Sequence, residues 1–341
     1  ELSTGRYVPT GDLHNASAGR NKTLTEKEID DVGERLPYYE CQTLTREQGE
    51  TMNARRLMCG VAMLLGLFTV VLICYAKSAK APAKAGLTNP FFAFDNGINR
   101  GRPTIAQQAE TLKELGYAGI GYSGVHDLPK KVKAFKDKGI RVFSTYVWCR
   151  PGAEKPYDPK LIDAMKQLEG TGVVLWLTVQ GKTDDEKAAA VVRELADAAA
   201  KHGLKIAIYP HLGFYIATTN QAIRLVKKVA RKNVGVSINL CHELKAGSEP
   251  KLPEIIKAAM PHLFMVSING ADHKGGWDKL IRPLGQGEFD VLGFLRTLNQ
   301  AGYKGPIGLQ CYAVKGDQKK NLARSMAAWK TYQSKITSKE K

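Results

Sequence analysis

From Asn89 onward, short runs rich in β-branched and aromatic residues alternate with longer amphipathic stretches of Lys, Glu and Ala. The runs at 91–96, 119–123, 140–147, 172–179, 204–209, 234–239, 263–268 and 306–311 are predicted strands. Apolar residues recur at helical spacing over 104–115, 128–138, 159–168, 184–201, 218–231, 250–259, 289–301 and 318–334. Successive strands start 21 to 43 residues apart, room for one crossover helix each, so the alternation predicts a parallel sheet. Eight such units within 85–335 match the roughly 250 residues of a (β/α)8 TIM barrel. An open doubly wound sheet is the alternative. No GxGxxG or phosphate loop follows the first strand, which counts against its dinucleotide-binding form. Asp184, Thr218 and Asp290 stand where N-caps are needed, and Gly116, Gly139, Gly203 and Gly302 where helices end in a left-handed residue.

The first part of the chain has a different texture. Residues 1–51 are polar and turn-rich, a composition that buries too little apolar surface to order itself. Leu57 to Tyr75 is an uncharged apolar run of nineteen residues between Arg55-Arg56 and Lys77, close to the ~20 that span a bilayer. It is expected to be an export signal or an uncleaved membrane anchor, with Met52-Asn53-Ala54-Arg55-Arg56 as its basic flank and Met52 a candidate start. The expected organisation is a disordered or non-native extension at 1–51, the signal or anchor at 52–76, a Lys/Ala/Pro linker at 77–88, the barrel at 89–335 and a basic tail at 336–341. The barrel would then lie outside the cytoplasm, periplasmic or held at a membrane.

Charge sharpens this picture. The chain carries +17, but residues 1–76 hold 8 Lys+Arg against 10 Asp+Glu, leaving +19 on the remainder. Such a surface favours anionic partners without specifying a fold. The six Cys, at 41, 59, 74, 149, 241 and 311, form no CxxC pair and exclude a zinc ribbon or a disulfide framework.

Barrel enzymes act at the carboxyl ends of their strands, so the polar residues that interrupt or follow each apolar run are the candidate chemistry. They are Asp95-Asn96, Tyr122-Ser123, Tyr146 with Trp148, Gln180, Tyr209-Pro210-His211, Asn239 with His242, Asn269 with Asp272, and Gln310 with Tyr312. Amides and tyrosines beside aromatic faces suit a neutral polyhydroxy ligand.

Six segments, GYAGIGYSG at 116–124, YPHLGFY at 209–215, NLCHELK at 239–245, VSINGAD at 266–272, PLGQGEFD at 283–290 and GYKGPIGLQCY at 302–312, resemble the xylose-isomerase-like TIM barrels, the sugar phosphate isomerases and epimerases. The resemblance covers about 85–335 and implies that fold. Members with isomerase chemistry hold a divalent metal through a Glu after strand five, the Asp of a D-x-x-H motif after strand six, a His after strand seven and a Glu after strand eight, the two Glu moving protons beside a carbonyl. This chain has Tyr209-Pro210, Asn239-Leu240-Cys241-His242, Ser267 or Asn269, and Gln310 at those places. Three carboxylates are lost, and an amide is a poor ligand for such an ion.

His211, His242 and Asp272 remain as candidate catalytic groups, and as a candidate site for one divalent zinc, manganese or iron ion. Asn96, Tyr146, Gln180, Tyr209, Asn239, Asn269, Trp277 and Gln310 are candidate substrate binders. No nucleotide cofactor is expected. The expected function is an exported isomerase or epimerase acting on a small-molecule sugar or sugar derivative by proton transfer beside a carbonyl. A lyase or hydrolase of modified sugars and a non-catalytic carbohydrate-binding barrel are the alternatives. Nucleic acid is not an expected partner, because the endonucleases of this fold need a metal cluster of several His, Glu and Asp. A membrane partner is expected if the apolar segment stays uncleaved.

Overall fold

A computed structural model describes residues 86–337; the expected extension at 1–51, the apolar segment at 52–76, the linker up to residue 85 and the tail beyond 337 lie outside the described residues. Among the described residues no helix is long and apolar enough to cross a membrane.

Eight parallel strands close into a barrel in sequence order: β1 (Phe91–Phe94), β2 (Gly119–Ser123), β3 (Arg141–Cys149), β4 (Val174–Val179), β5 (Lys205–Ile208), β6 (Val234–Asn239), β7 (Leu263–Ile268) and β8 (Ile307–Leu309). Closure is by pairing of β1 with β8, Phe91 opposite Ile307. The helices are α1 (Ile105–Leu115), α2 (Leu128–Asp137), α3 (Lys160–Gln167), α4 (Asp185–Ala200), α5 (Thr219–Val229), α6 (Leu240–Lys245), α7 (Leu252–Ala259), α8 (Trp277–Leu280), α9 (Val291–Gln300) and α10 (Gln318–Thr337). The doubly wound alternative is excluded by closure.

Local chemistry fixes the helix ends. Thr104 and Thr218 form capping boxes with Gln107 and Gln221, while Asp184 and Asp290 accept the N–H of Lys187 and Gly293. Gly116, Gly139, Gly203 and Gly302 take the expected left-handed φ. Two short helices were not evident in the pattern: α6, which begins directly at the end of β6, and α8. The last strand ends at Leu309, short of the predicted 311. The Gln310 side-chain oxygen accepts the N–H of both Cys311 and Tyr312, turning the backbone away from its ladder.

Strand residues alternate between two cores. Those facing outward, such as Ile206 and Ile208, pack under the helices, where Ala188, Val192 and Leu195 of α4 are fully buried. The inward set is Phe92, Phe94, Phe143, Trp176, Ala207, Tyr209 and Met265. Phe92 stacks on Phe143 at 4.9 Å and Phe94 on Trp176 at 5.0 Å, and the Trp176 indole donates to Ser237 Oγ at 2.7 Å. The Phe92 ring fits because β2 and β8 offer glycine there: a Cβ on Gly121 or Gly308 would come within 2.9 or 2.7 Å of it. Gly308→Ala is therefore expected to cost about 1–3 kcal/mol by overpacking, read as a lower urea midpoint at unchanged slope.

Candidate active site

Above the aromatic layers, the carboxyl ends of the strands carry a band of uncharged polar side chains. Tyr209 follows β5, lies almost wholly buried, and packs edge-on against Trp176 and Tyr146. Its hydroxyl accepts from Gln310 Nε2 at 3.2 Å, and Gln310 Oε1 in turn accepts from Asn96 Nδ2 at 2.9 Å. Asn239 donates to the Pro210 carbonyl at 2.7 Å and accepts from Ser267 Oγ at 3.0 Å. The positions where related isomerases carry metal-binding carboxylates thus hold a neutral network that satisfies much of its own hydrogen-bonding capacity. Tyr209, Asn239 and Gln310 form the floor of the site rather than its open wall.

The two histidines stand on that floor. His211 opens a tight turn after β5, closed by its N–H donating to the Ile216 carbonyl and by Gly213 at φ 89°. His242 lies on α6, whose start at the very end of β6 swings the ring over the barrel mouth. The ring centroids are 4.2 Å apart and the planes inclined by 44°. Phe214 stacks on His211 at 4.1 Å, and Trp277 of α8 meets His242 edge-on at 5.3 Å.

One residue sets both tautomers. His211 Nδ1 lies 2.9 Å from the Leu212 carbonyl, which can only accept, so Nδ1 carries the proton and Nε2 keeps its lone pair. The Leu212 N–H, which can only donate, points to His242 Nδ1 at 3.2 Å, so that nitrogen is bare and Nε2 carries the proton. Burial is the main cause that lowers both: His242 falls to about 3, with the neighbouring His211 adding to the shift, and His211 falls below the ordinary histidine value. At neutral pH the pair is uncharged, one ring presenting an acceptor and the other a donor.

The remaining candidates divide into two groups. Asn96, Tyr146, Gln180 and Trp277 keep partly exposed positions around the mouth. Gln180 is steadied by Thr178 and Arg150, and burial raises the Tyr146 phenol. Asn269 is fully buried and donates to the Gly270 and Leu280 carbonyls, yet its Oδ1 and that of Asn96 have no partner. Two buried amide oxygens free to accept are what a hydroxyl-bearing ligand would satisfy. Asp95, at the rim after β1, accepts from Ser123 N and Oγ, and burial raises its carboxyl above the ordinary range.

Asp272 has a partner of its own. It was expected to join the histidines as a catalytic group and metal ligand, but its carboxylate is held by Arg282 at 2.7 Å. Among the described residues no three His, Cys, Asp or Glu are placed to hold a metal ion. Tyr209, Asn239 and Gln310, at the expected ligand positions, are an uncharged phenol and two amides already hydrogen-bonded, and His242 Nδ1 is occupied by the Leu212 N–H. These residues do not fit the divalent ion of the related isomerases. Sequence reasoning missed Phe214, Arg282 and the Leu212 peptide; the first lay in the quoted 209–215 segment, but no sequence signal marks a backbone group. Burial pushes the Cys241 and Cys311 thiols each up to about 12, so neither offers a thiolate at neutral pH.

The model of the family described as the xylose isomerase-like TIM barrel matches residues 109–332. A curated relative from Pseudomonas aeruginosa, named 3-dehydroshikimate dehydratase, is 26% identical over 237 residues, 61% of this chain and 36% of its own length. The chain thus spans about a third of that relative. Among solved structures, 3-keto-D-glucoside 4-epimerase from E. coli superposes with a TM-score of 0.59 at 17% identity, over 71% of this chain and 98% of that one. D-psicose 3-epimerase from Clostridium cellulolyticum, in complex with D-tagatose, gives 0.59 at 16%, over 73% and 100%. At such identities the structural likeness is one of fold. The family match covers well over half of the chain and agrees with the closed barrel and the mouth-borne histidines, so the chain belongs to the xylose isomerase-like TIM-barrel family.

Proposed function

We propose that this barrel moves a proton beside the carbonyl of a sugar or sugar-derived polyhydroxy compound, using the His211–His242 pair without a divalent metal. The observation that carries the reading is the opposed tautomers set by Leu212. His211 Nε2 takes the proton from the carbon next to the carbonyl. His242 Nε2–H hydrogen-bonds the carbonyl oxygen as it gains charge; a neutral imidazole of low pKa is suited to this role because it polarises without surrendering its proton. The electron pair of the broken C–H bond passes through an enolate. The His211 imidazolium then returns the proton to the same carbon, giving an epimer, or to its neighbour, giving an isomer. The unpartnered oxygens of Asn96 and Asn269 would accept substrate hydroxyls, and Phe214 and Trp277 supply apolar faces.

The dehydratase name of the curated relative favours a second outcome of the same first step. The enolate would expel a β-hydroxyl, which leaves as water with the His211 proton. The uncharged run at 57–75 supports an exported or membrane-held enzyme.

The test is hydrogen exchange in heavy water, followed by NMR, with ketohexoses, 3-ketoglucosides and 3-dehydroshikimate as the panel. Exchange at the carbon beside the carbonyl is expected with one class and should survive exhaustive chelation. Loss on chelation with recovery on adding zinc or manganese would sink the metal-free mechanism. Sugar binding without exchange of any compound would identify a binding barrel instead.

A further inference from the structure

The opposite mouth of the barrel also holds a cavity. It has a volume of about 420 Å³ and is lined by residues at the amino ends of the strands. Three of them, Pro90, Arg141 and Lys205, stand at the starts of β1, β3 and β5, Pro90 directly before the first. They are the positions two residues before Phe92, Phe143 and Ala207, so by strand alternation they lie on the inward side, at the exposed rim of the barrel. Inward positions are ordinarily filled by apolar side chains. Here two of the three are cations, on β3 and β5.

Their setting suits binding more than packing. The Arg141 guanidinium lies 5.1 Å above the Phe143 ring and the Lys205 ammonium 5.2 Å above Phe264. Each charge is thereby held over an aromatic floor that keeps water off one side. Among the described residues, neither has a carboxylate within ion-pairing distance. The acid on the adjoining groove, Glu169, is 3.1 Å from His202 Nδ1 and its side chain is 65% exposed. Gly172 borders the cavity beside Arg141, and a Cβ there would lie 2.9 Å from the guanidinium, so the glycine keeps the approach open.

We propose that this amino-terminal mouth is a second ligand site, binding a phosphate-class oxyanion between Arg141 and Lys205. The planar guanidinium fork offers two parallel donors and the ammonium a third from two strands away, across β4, a set that matches the several oxygens of a phosphate. The proposal is independent of the chemistry at the other mouth. The ligand can be a soluble phosphate or the phosphate of a lipid headgroup, since the chain enters β1 at this end.

The experiment uses the full chain and the double variant Arg141→Gln/Lys205→Gln, with circular dichroism to confirm that both fold. Inorganic phosphate is titrated by calorimetry at constant ionic strength. Each protein is also sedimented with phosphatidylcholine vesicles with and without phosphatidylglycerol. Saturable phosphate binding is expected in the wild type, weakened about tenfold or more in the variant. Were the variant also to lose the preference for phosphatidylglycerol, the ligand would be a headgroup; an unchanged preference would point to a soluble phosphate. Absence of saturable binding, or equal binding by the variant, would overturn the proposal. If the double variant does not fold, Arg141→Lys serves in its place: it keeps the charge, removes the fork and should weaken phosphate binding, with the phosphatidylglycerol preference falling alongside if the ligand is a headgroup and holding if it is a soluble phosphate.

Discussion

Replacing His211 with alanine is expected to lower turnover by roughly 10²- to 10⁴-fold, the usual worth of a positioned general base. The loss should fall on kcat. His211 is only part of the wall of the site, and the amide oxygens of Asn96 and Asn269 that would bind substrate hydroxyls stay in place. Proton exchange should disappear along with turnover, because the same nitrogen performs both. The acid limb of the wild-type profile supplies a second reading. As the proposed base His211 must be unprotonated, and burial lowers its pKa, so the rate should hold as pH falls past 6.5 and drop only below it. An acid limb at or above 6.5, or a variant with unchanged exchange, would falsify the assignment of the base.

The barrel was legible in the sequence because its elements are written in two clean periods. Each strand is a short β-branched or aromatic run, as in VLWLTV of β4, and the long helices have apolar stripes, several with a capping side chain, as at Asp184 or Thr218. The candidate site was legible down to its residue list but not its arrangement. His211 and His242 could be placed at neighbouring strand ends from the order of the elements alone. Nothing in the spelling of residues 239–245 showed that a helix begins at Leu240, yet that helix carries His242 over the mouth. Asp272 resembled a ligand in sequence because the loop after β7 places it at the right end of the barrel. Its partner, Arg282, stands ten positions later, and Gly270 brings the two segments together through paired backbone hydrogen bonds with that same arginine. Pairings between loops are set by tertiary closure and leave no periodicity to read.

The expected ligand positions at the carboxyl ends of β5, β6 and β8 hold no carboxylate. In a metal-binding relative the ion would offset clustered acidic charge. With Tyr209, Asn239 and Gln310 in their place, the mouth needs no cation to hold it together, and an uncharged histidine pair can be buried beside them without an ionic partner. Burying a neutral histidine has a cost that appears only in acid.

That cost gives the largest effect expected on stability. His242 is 5% exposed and its pKa falls to about 3 from an ordinary 6.5. Between those two values the unfolded imidazole holds a proton that the folded one refuses, so stability rises with pH across the window and is lost as pH falls through it. The loss from this one group is about 3 kcal/mol between pH 7 and pH 4, approaching about 5 kcal/mol once pH lies below 3. His242→Asn removes the titration while its Oδ1 can still accept the Leu212 N–H. The variant should be somewhat less stable than wild type at pH 7, through lost contact with Trp277 and His211, and should close or reverse that gap by pH 4. Urea unfolding of both proteins across pH 4 to 7 isolates the effect, since the other groups that titrate in this range are common to both. A constant difference between the two curves would mean that His242 accepts a proton in the folded chain. The donor assigned to it at neutral pH would then need a different physical basis than burial.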